Sequence, residues 1–505
     1  MRFNVTARHN KTVRNHEGET AWALSPELEL YTAVVTTSLG DKFYESAGKR
    51  MARIQELISQ VDPSFVAKLA VYAREKMYLR SVPLVLAVEL AKVHRGDNLV
   101  SRMVTRVVQR ADEITELLAY YQMANQRTGT KKLGKLSKQV QKGLAQSFNR
   151  FDEYQFAKYN RATEVKLRDA LFLVHPSPKD LAQQKLFDKI ASDTLATPET
   201  WEVKLSAMGQ QAHATAADKE AARVRTWEAM IDGGKMGYMA MLRNLRNLLQ
   251  TGVSDARMVK VCDRIADPVQ VRRAKQLPFR FLSAYRELKG ISSVHTTMVL
   301  NALESAIQAS VDNLRMFDAQ TRVLVSGDVS GSMCAPLSPK SKVQYYDVGL
   351  VLAMLLQHKC DRVISSIFGT DFKVVNLPQN SILQNADKLR HLGSQVGWST
   401  NGYKVVDHLV KKRIELDKVM IFTDMQLWNS HGNGSHLAKS WAQYKKIAPR
   451  AKLYLFDLAG YGQAPLDVKQ GDVFLIAGWS EKVFEILDAV ENGSDALAEI
   501  RKIEV

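Results

Sequence analysis

Cysteine is nearly missing from this chain. Its three thiols, Cys262, Cys334 and Cys360, stand far apart with no CxxC spacing. That excludes a disulfide framework and fits a reducing, cytoplasmic setting. No apolar run is long enough to span a bilayer, so no membrane-spanning segment is expected. The opening MRFNVTARHNKTVRNHEGETAW is polar and lacks an apolar core, so no secretion signal is expected there. The first 320 residues also lack paired carboxylates, a Cys/His nucleophile arrangement and a P-loop, which argues against an enzyme.

Acid is the other scarcity, and it is local. The chain carries a net charge of +17. Before residue 321 there are 48 Lys/Arg against 34 Asp/Glu, an excess of +14; from residue 321 onward there are 22 against 19. A one-signed field confined to one part of the chain points to a polyanionic partner, nucleic acid or an anionic membrane. At 505 residues, with 46% hydrophobic content, two or three packed domains are expected.

The basic part reads as helix throughout. Ser25-Pro26-Glu27 and Asp62-Pro63 are cap-plus-proline starts. Arg80 to Pro83 breaks the chain, and a helix resumes from Leu84 to Val93. Short helices without intervening strands predict an α-solenoid of HEAT type, after an irregular arm over residues 1–25. Within it, Leu133, Leu136, Val140 and Leu144 fall at helical spacing. Lys131, Lys135, Lys138 and Lys142 form a second row with no spaced Glu. A phosphate backbone would compensate that row. Further candidate RNA contacts are Lys166, Arg168 and His175 in KLRDALFLVHPSPKD, Arg243 and Arg246 in MLRNLRNLLQ, and Arg272 and Arg273. His175, before Pro176, also suits a helix C-terminus. Tyr154, Phe156, Tyr159 and Phe279 lie among these cations, as stacking on unpaired bases requires, although such rings more often belong to the core.

Near Gln320 the pattern changes. Strands are predicted at Val323–Ser326, Arg362–Phe368, Lys418–Phe422, Lys452–Asp457 and Asp472–Ala477, with an edge strand over Phe372–Pro378. Helices at Val343–Gln357, Gly402–Lys412, His436–Lys446 and Ser480–Glu491 alternate with them, which predicts a doubly wound, mostly parallel sheet. The first strand runs into GDVSGSM, where Asp328, Ser330 and Ser332 offer one carboxylate and two hydroxyls at a strand's carboxyl end. Thr400 in GWSTNG and Asp424 after VMIFT can complete the set. Such an oxygen-only group suits Mg²⁺ first, with Ca²⁺ or Mn²⁺ as alternatives, rather than zinc. The arrangement resembles the metal-ion-dependent adhesion site of von Willebrand factor type A domains.

The blocks DPSFVAKLAVYAREKMYLRSVPLVLAVELA, WEAMIDGGKMGYMAMLRNLRNLL, AKQLPFRFLSAYREL and GDVSGSM, in this order, resemble the Ro autoantigen family. Its members pair a TROVE domain, here expected over residues 1–318, with a type A domain, here 319–505. The resemblance implies a monomer whose helical repeats close into a ring. It implies a small noncoding Y RNA on a basic outer surface. It also implies single-stranded 3′ ends of misfolded RNA or ribosomal RNA in a central hole, and a role in RNA quality control alongside an exoribonuclease. The alternative is a metal-dependent scaffold that binds a partner protein through the type A domain.

Overall fold

The computed structural model describes residues 12–37, 45–127, 133, 135–160, 164–234, 236–276, 278–311, 320–338, 341–430, 436–468, 471–478, 482–491 and 496–505. The chain forms two compact units, one of residues 1–51 with 227–496, the other of 52–226 with 497–505. The change of character expected at 318/319 lies outside the described residues. Helices between 227 and 311 cluster with the sheet rather than with the preceding helices, so compactness and sequence character divide the chain differently.

Helix starts follow their caps. The Ser25 hydroxyl accepts the Leu28 N–H before helix Pro26–Thr36, and Asp62 accepts from Ser64 and Phe65 before helix Pro63–Glu75. Helix Ser81–Val93 begins three residues earlier than its sequence indicated. Pro83 sits within the first turn, where its missing N–H breaks no helical bond.

In the 52–226 unit the helices stack in succession. Ser81–Val93 packs on Pro63–Glu75, Leu99–Val107 on Pro63–Glu75, and Ala111–Ala124 on Ser81–Val93. Lys138–Phe148 then packs on Leu99–Val107, and Leu167–Val174 lies against both Ala111–Ala124 and Lys138–Phe148. This neighbour-to-neighbour order is what stacked helical repeats require. Gly143 sets one approach: a Cβ there would crowd the Ser101 carbonyl and the Val104 side chain at 2.6 Å.

The other unit holds a six-stranded sheet. Its strands are β3 (Val323–Asp328), β4 (Val363–Phe368), β5 (Phe372–Val374), β6 (Lys418–Thr423), β7 (Lys452–Asp457) and β9 (Val473–Ala477). A second, small sheet consists of β1 (Thr12–Arg14), β2 (Thr20–Ala23) and β8 (Gln463–Ala464). The order is β5-β4-β3-β6-β7-β9, all parallel except the β5 edge. β3 and β6 are buried along their whole lengths, which is why they read as unbroken apolar runs. From β3 the chain winds outward first to β4 and later to β6, so the switch point opens at the carboxyl ends of β3 and β6.

Residues 12–25 are not an irregular arm. β1 (Thr12–Arg14) and β2 (Thr20–Ala23) form a hairpin, and β2 pairs with β8 (Gln463–Ala464). The Asn15 carboxamide accepts the Glu17 and Glu19 N–H groups and shapes the turn around Gly18.

Helix Pro278–Leu288 meets the sheet's helices through buried charge. Arg286 pairs with Asp347 (2.5 Å) in helix Tyr345–Lys359 and with Asp387 in helix Leu383–Leu392. Asp387 also takes Lys289 (2.6 Å) and the Tyr285 hydroxyl (3.0 Å). Glu304 caps helix Leu383–Leu392, accepting N–H groups of Ile382 (2.6 Å), Leu383 (3.3 Å) and Gln384 (3.0 Å). Among the described residues no helix is long and apolar enough to cross a membrane.

Candidate metal-binding loops and nucleic-acid interface

Three loops meet at the switch point. Asp328 ends β3, and its Oδ1 accepts the Ser330 N–H (2.9 Å). The Ser330 and Ser332 hydroxyls lie 3.4 Å apart. The second loop is held by glycine: a Cβ at Gly369 would overlap the Gly397 carbonyl, and Gly397 itself has φ +75°. Gly331 N–H donates to the Trp398 carbonyl (3.0 Å), which ties the second loop to the first. The Thr400 hydroxyl donates to the Gln426 carbonyl (2.8 Å), which ties it to the third. Asp424, just past β6, accepts the Gln426 N–H on Oδ1 (3.1 Å). Asp328, Ser330, Ser332, Thr400 and Asp424 are all buried.

The electrostatics favour a bound cation. Burial pushes Asp328 up to about 6, against the pull of the Ser330 and Thr423 hydrogen bonds. Burial, then the Asp328 charge, pushes Asp424 up to about 7, partly offset by the Ser332 hydroxyl and the Gln426 N–H. The Asp457 charge adds a further upward push on Asp424. Asp424 Oδ2 is buried without a donor in hydrogen-bonding geometry. Two unpaired buried carboxylates are costly unless something neutralises them. A hard divalent cation fits these oxygens. Among the described residues no cluster of three or more His, Cys, Asp or Glu side chains offers a different kind of metal site.

Sequence reading missed the supports of this site. The Thr423 hydroxyl donates to Asp328 Oδ2 (2.6 Å), and Gln426 touches both Thr400 and Asp424. The N-terminal hairpin reaches the same loop: Asn15 Nδ2 donates to the Leu427 carbonyl and His16 N–H to Gln426 Oε1, each at 2.8 Å. Thr423 was visible as a strand end. Nothing local marks the hairpin's partner, some 410 residues away.

The candidate RNA-binding residues fall in both units. Lys131 lies outside the described residues. The basic row does not share one helix: Lys135 is in a turn and helix Lys138–Phe148 starts after Ser137. Gly134 in the sequence disfavours a continuous helix, and Ser137 suits a cap. Leu133 and Leu136 are only half-buried, whereas Val140 and Leu144 are core. Lys138 and Lys142 are exposed.

Helix Leu167–Val174 lies beside this basic helix. Gln141 Nε2 donates to the Leu173 carbonyl (2.9 Å) and Asn149 Nδ2 to the Ser177 carbonyl (2.8 Å), while Lys179 Nζ donates to the Asn149 carbonyl (3.0 Å). Lys166, Arg168, His175 and Lys179 are exposed. His175 is also the C-cap residue, with a left-handed backbone and its N–H on the Leu171 carbonyl. Two stretches that are separate in sequence thus stand side by side, and residues 127–151 contribute no acid at all.

In the other unit, Arg243 and Arg246 are exposed on helix Tyr238–Thr251, opposite buried Leu242, Leu245 and Leu249. Arg246 pairs with Glu287 at 3.5 Å. Arg272 and Arg273 are exposed on helix Pro268–Ala274. Of the aromatic candidates, Phe156 and Phe279 are core. Arg110 covers the Tyr159 ring, 4.4 Å from its centroid.

Residues 36–195 and 193–316 match the TROVE domain family, and residues 322–490 match the Ro60 vWA domain. Telomerase protein component 1 of Rattus norvegicus is 25% identical over 342 residues, which is 52% of this chain and 12% of that protein. The Mus musculus protein of the same name is 25% identical over 306 residues, 45% of this chain and 11% of that one. The chain thus spans about an eighth of the length of these curated relatives. The crystal structure titled Deinococcus radiodurans RO (RSR) protein covers 93% of this chain and 100% of that chain, with a TM-score of 0.62 at 19% identity, a likeness of fold. This chain belongs to the Ro family, RNA-binding proteins in which a TROVE domain is joined to a von Willebrand factor type A domain.

Proposed function

We propose that this protein binds a small noncoding, Y-like RNA on a basic outer surface and takes single-stranded 3′ ends of misfolded RNA in a central hole. It would serve RNA quality control in the cytoplasm as a monomer, beside an exoribonuclease and without catalysis of its own. The observation that carries this reading is the joining of the acid-free helix Lys138–Phe148 to helix Leu167–Val174. Exposed Lys138, Lys142, Lys166 and Arg168 there lack carboxylate partners among the described residues, so phosphates can take that role. Filter binding of a structured RNA with a free 3′ tail, against the same RNA made blunt, tests it. Tighter binding of the tailed RNA is expected; equal affinities would remove the 3′-end part of the proposal.

A second activity rests on the buried, donorless Asp424 Oδ2. Asp328, Ser330, Ser332, Thr400 and Asp424 would hold Mg²⁺, with Ca²⁺ or Mn²⁺ as alternatives. The ion would supply positive charge in an oxygen-lined site and so recognise a carboxylate of a partner protein. The bonds from Gly331 to Trp398 and from Thr400 to Gln426 link the three loops, which supports a preorganised set of donors.

A further inference from the structure

Phe172 is 52% exposed, although its helix, Leu167–Val174, already has a complete apolar face. Leu167, Ala170, Leu171 and Val174 take that face. The core therefore leaves about half of Phe172 in solvent. One turn earlier, Arg168 places its guanidinium carbon 5.7 Å from the ring centroid. Arg168 forms no ion pair among the described residues, and neither do Lys142 and Lys166. An exposed aromatic ring with an unpaired guanidinium on it, beside a lysine-bearing helix without acids, is the composition of a base-stacking platform.

The neighbouring rings do not share these features. Phe156 is fully buried against Phe148 and Phe151. Tyr159 lies under Arg110 and Lys158, and Tyr154 under Lys158, whose ammonium is shared between the two rings at 5.5 and 5.7 Å. Phe172 alone of this group combines majority exposure with a cation on its own helix and the acid-free helix alongside.

Resting on the RNA-binding reading above, we infer that Phe172 and Arg168 form a stacking site for one unpaired RNA base. The base would cover the solvent-facing part of the ring, and Arg168 would hold the ring's orientation and add a cation–π contribution. Phosphates flanking that base would meet Lys142 and Lys166. A base inside a duplex has both faces already stacked and cannot use the ring, so this pair would separate unpaired from paired RNA. Electrostatic contacts alone make no such distinction.

Fluorescence anisotropy with two labelled probes tests this in the full chain: an oligoadenylate and a blunt RNA duplex of matched length. Phe172→Ala should weaken oligoadenylate binding about tenfold, leave duplex binding within about twofold, and leave the salt dependence of both unchanged. Phe172→Tyr should restore binding. Lys166→Ala should weaken both probes and lower the salt slope by about 0.7 to 0.9. Phe172→Ala binding both probes like the parent chain, or losing both equally, would overturn the stacking site while leaving RNA binding in place. A parent chain that binds neither probe at low salt would overturn the RNA-binding reading itself.

Discussion

Replacing Arg286 by Met should be among the most damaging single changes in this protein. The guanidinium is buried between two carboxylates, 2.5 Å from Asp347 and also paired with Asp387. Asp387 keeps Lys289 and the Tyr285 hydroxyl after the change, so Asp347 is the group left stranded. Asp347 is fully buried, and its remaining hydrogen bond comes from the Gln344 N–H. Removing one member of a buried pair costs about 3–5 kcal/mol, because the other is left as an uncompensated charge. Arg286→Met should therefore lower the stability of the sheet-bearing unit by ~3–5 kcal/mol, read by urea unfolding followed by circular dichroism. Arg286→Met with Asp347→Leu should recover at least half of that. The pH dependence has a definite sign. Burial already holds Asp347 above the usual carboxylate range, with Arg286 only partly offsetting it. Without Arg286 the value rises further, and a raised folded value means stability that is present in acid and lost as the pH rises. The Arg286→Met deficit should thus be larger at pH 8 than at pH 5. A loss below about 0.5 kcal/mol, or a deficit that grows in acid, would refute this reasoning.

Three further outcomes are expected. In chelator, stability should be fully supported by Asp328 and Asp424 below about pH 4 and decline as the pH rises through about 6 to 7, because both are raised by burial; Asp328→Asn with Asp424→Asn should flatten that decline in thermal melts. Millimolar Mg²⁺ should raise the melting temperature of the parent chain at pH 8 and leave the double Asn variant unmoved, and equal shifts in both would count against these metal ligands. Gly143→Leu should destabilise the 52–226 unit by ~1–3 kcal/mol through overpacking against Val104, and an unchanged denaturation midpoint would show that the helices part freely.

Much of the sheet was readable because its determinants are local. β3, β6 and β7 are buried on both faces and appear as apolar, β-branched or aromatic runs at the expected positions. Ser25-Pro26 and Asp62-Pro63 announced their helices because a cap acts within three residues. The donors Asp328, Ser330 and Ser332 share one short loop. What escaped notice depends on distant partners. β2 is four residues long and gains its place from Gln463 and Ala464. Arg286, Asp347 and Asp387 look like ordinary surface charges until the fold buries them together. The lysine row failed differently: its spacing was helical, but helix Lys138–Phe148 starts only after Ser137, which leaves Lys135 in a turn outside it.

RNA affinity as a function of salt tests the central claim most directly. A structured RNA with a free 3′ tail should bind the parent chain with log K falling linearly against log salt. Replacing Lys138, Lys142, Lys166, Arg168 and Lys179 by Ala should reduce that slope by about 0.7 to 0.9 for each phosphate that is no longer neutralised. A five-site variant with the parent's slope and affinity would contradict the account.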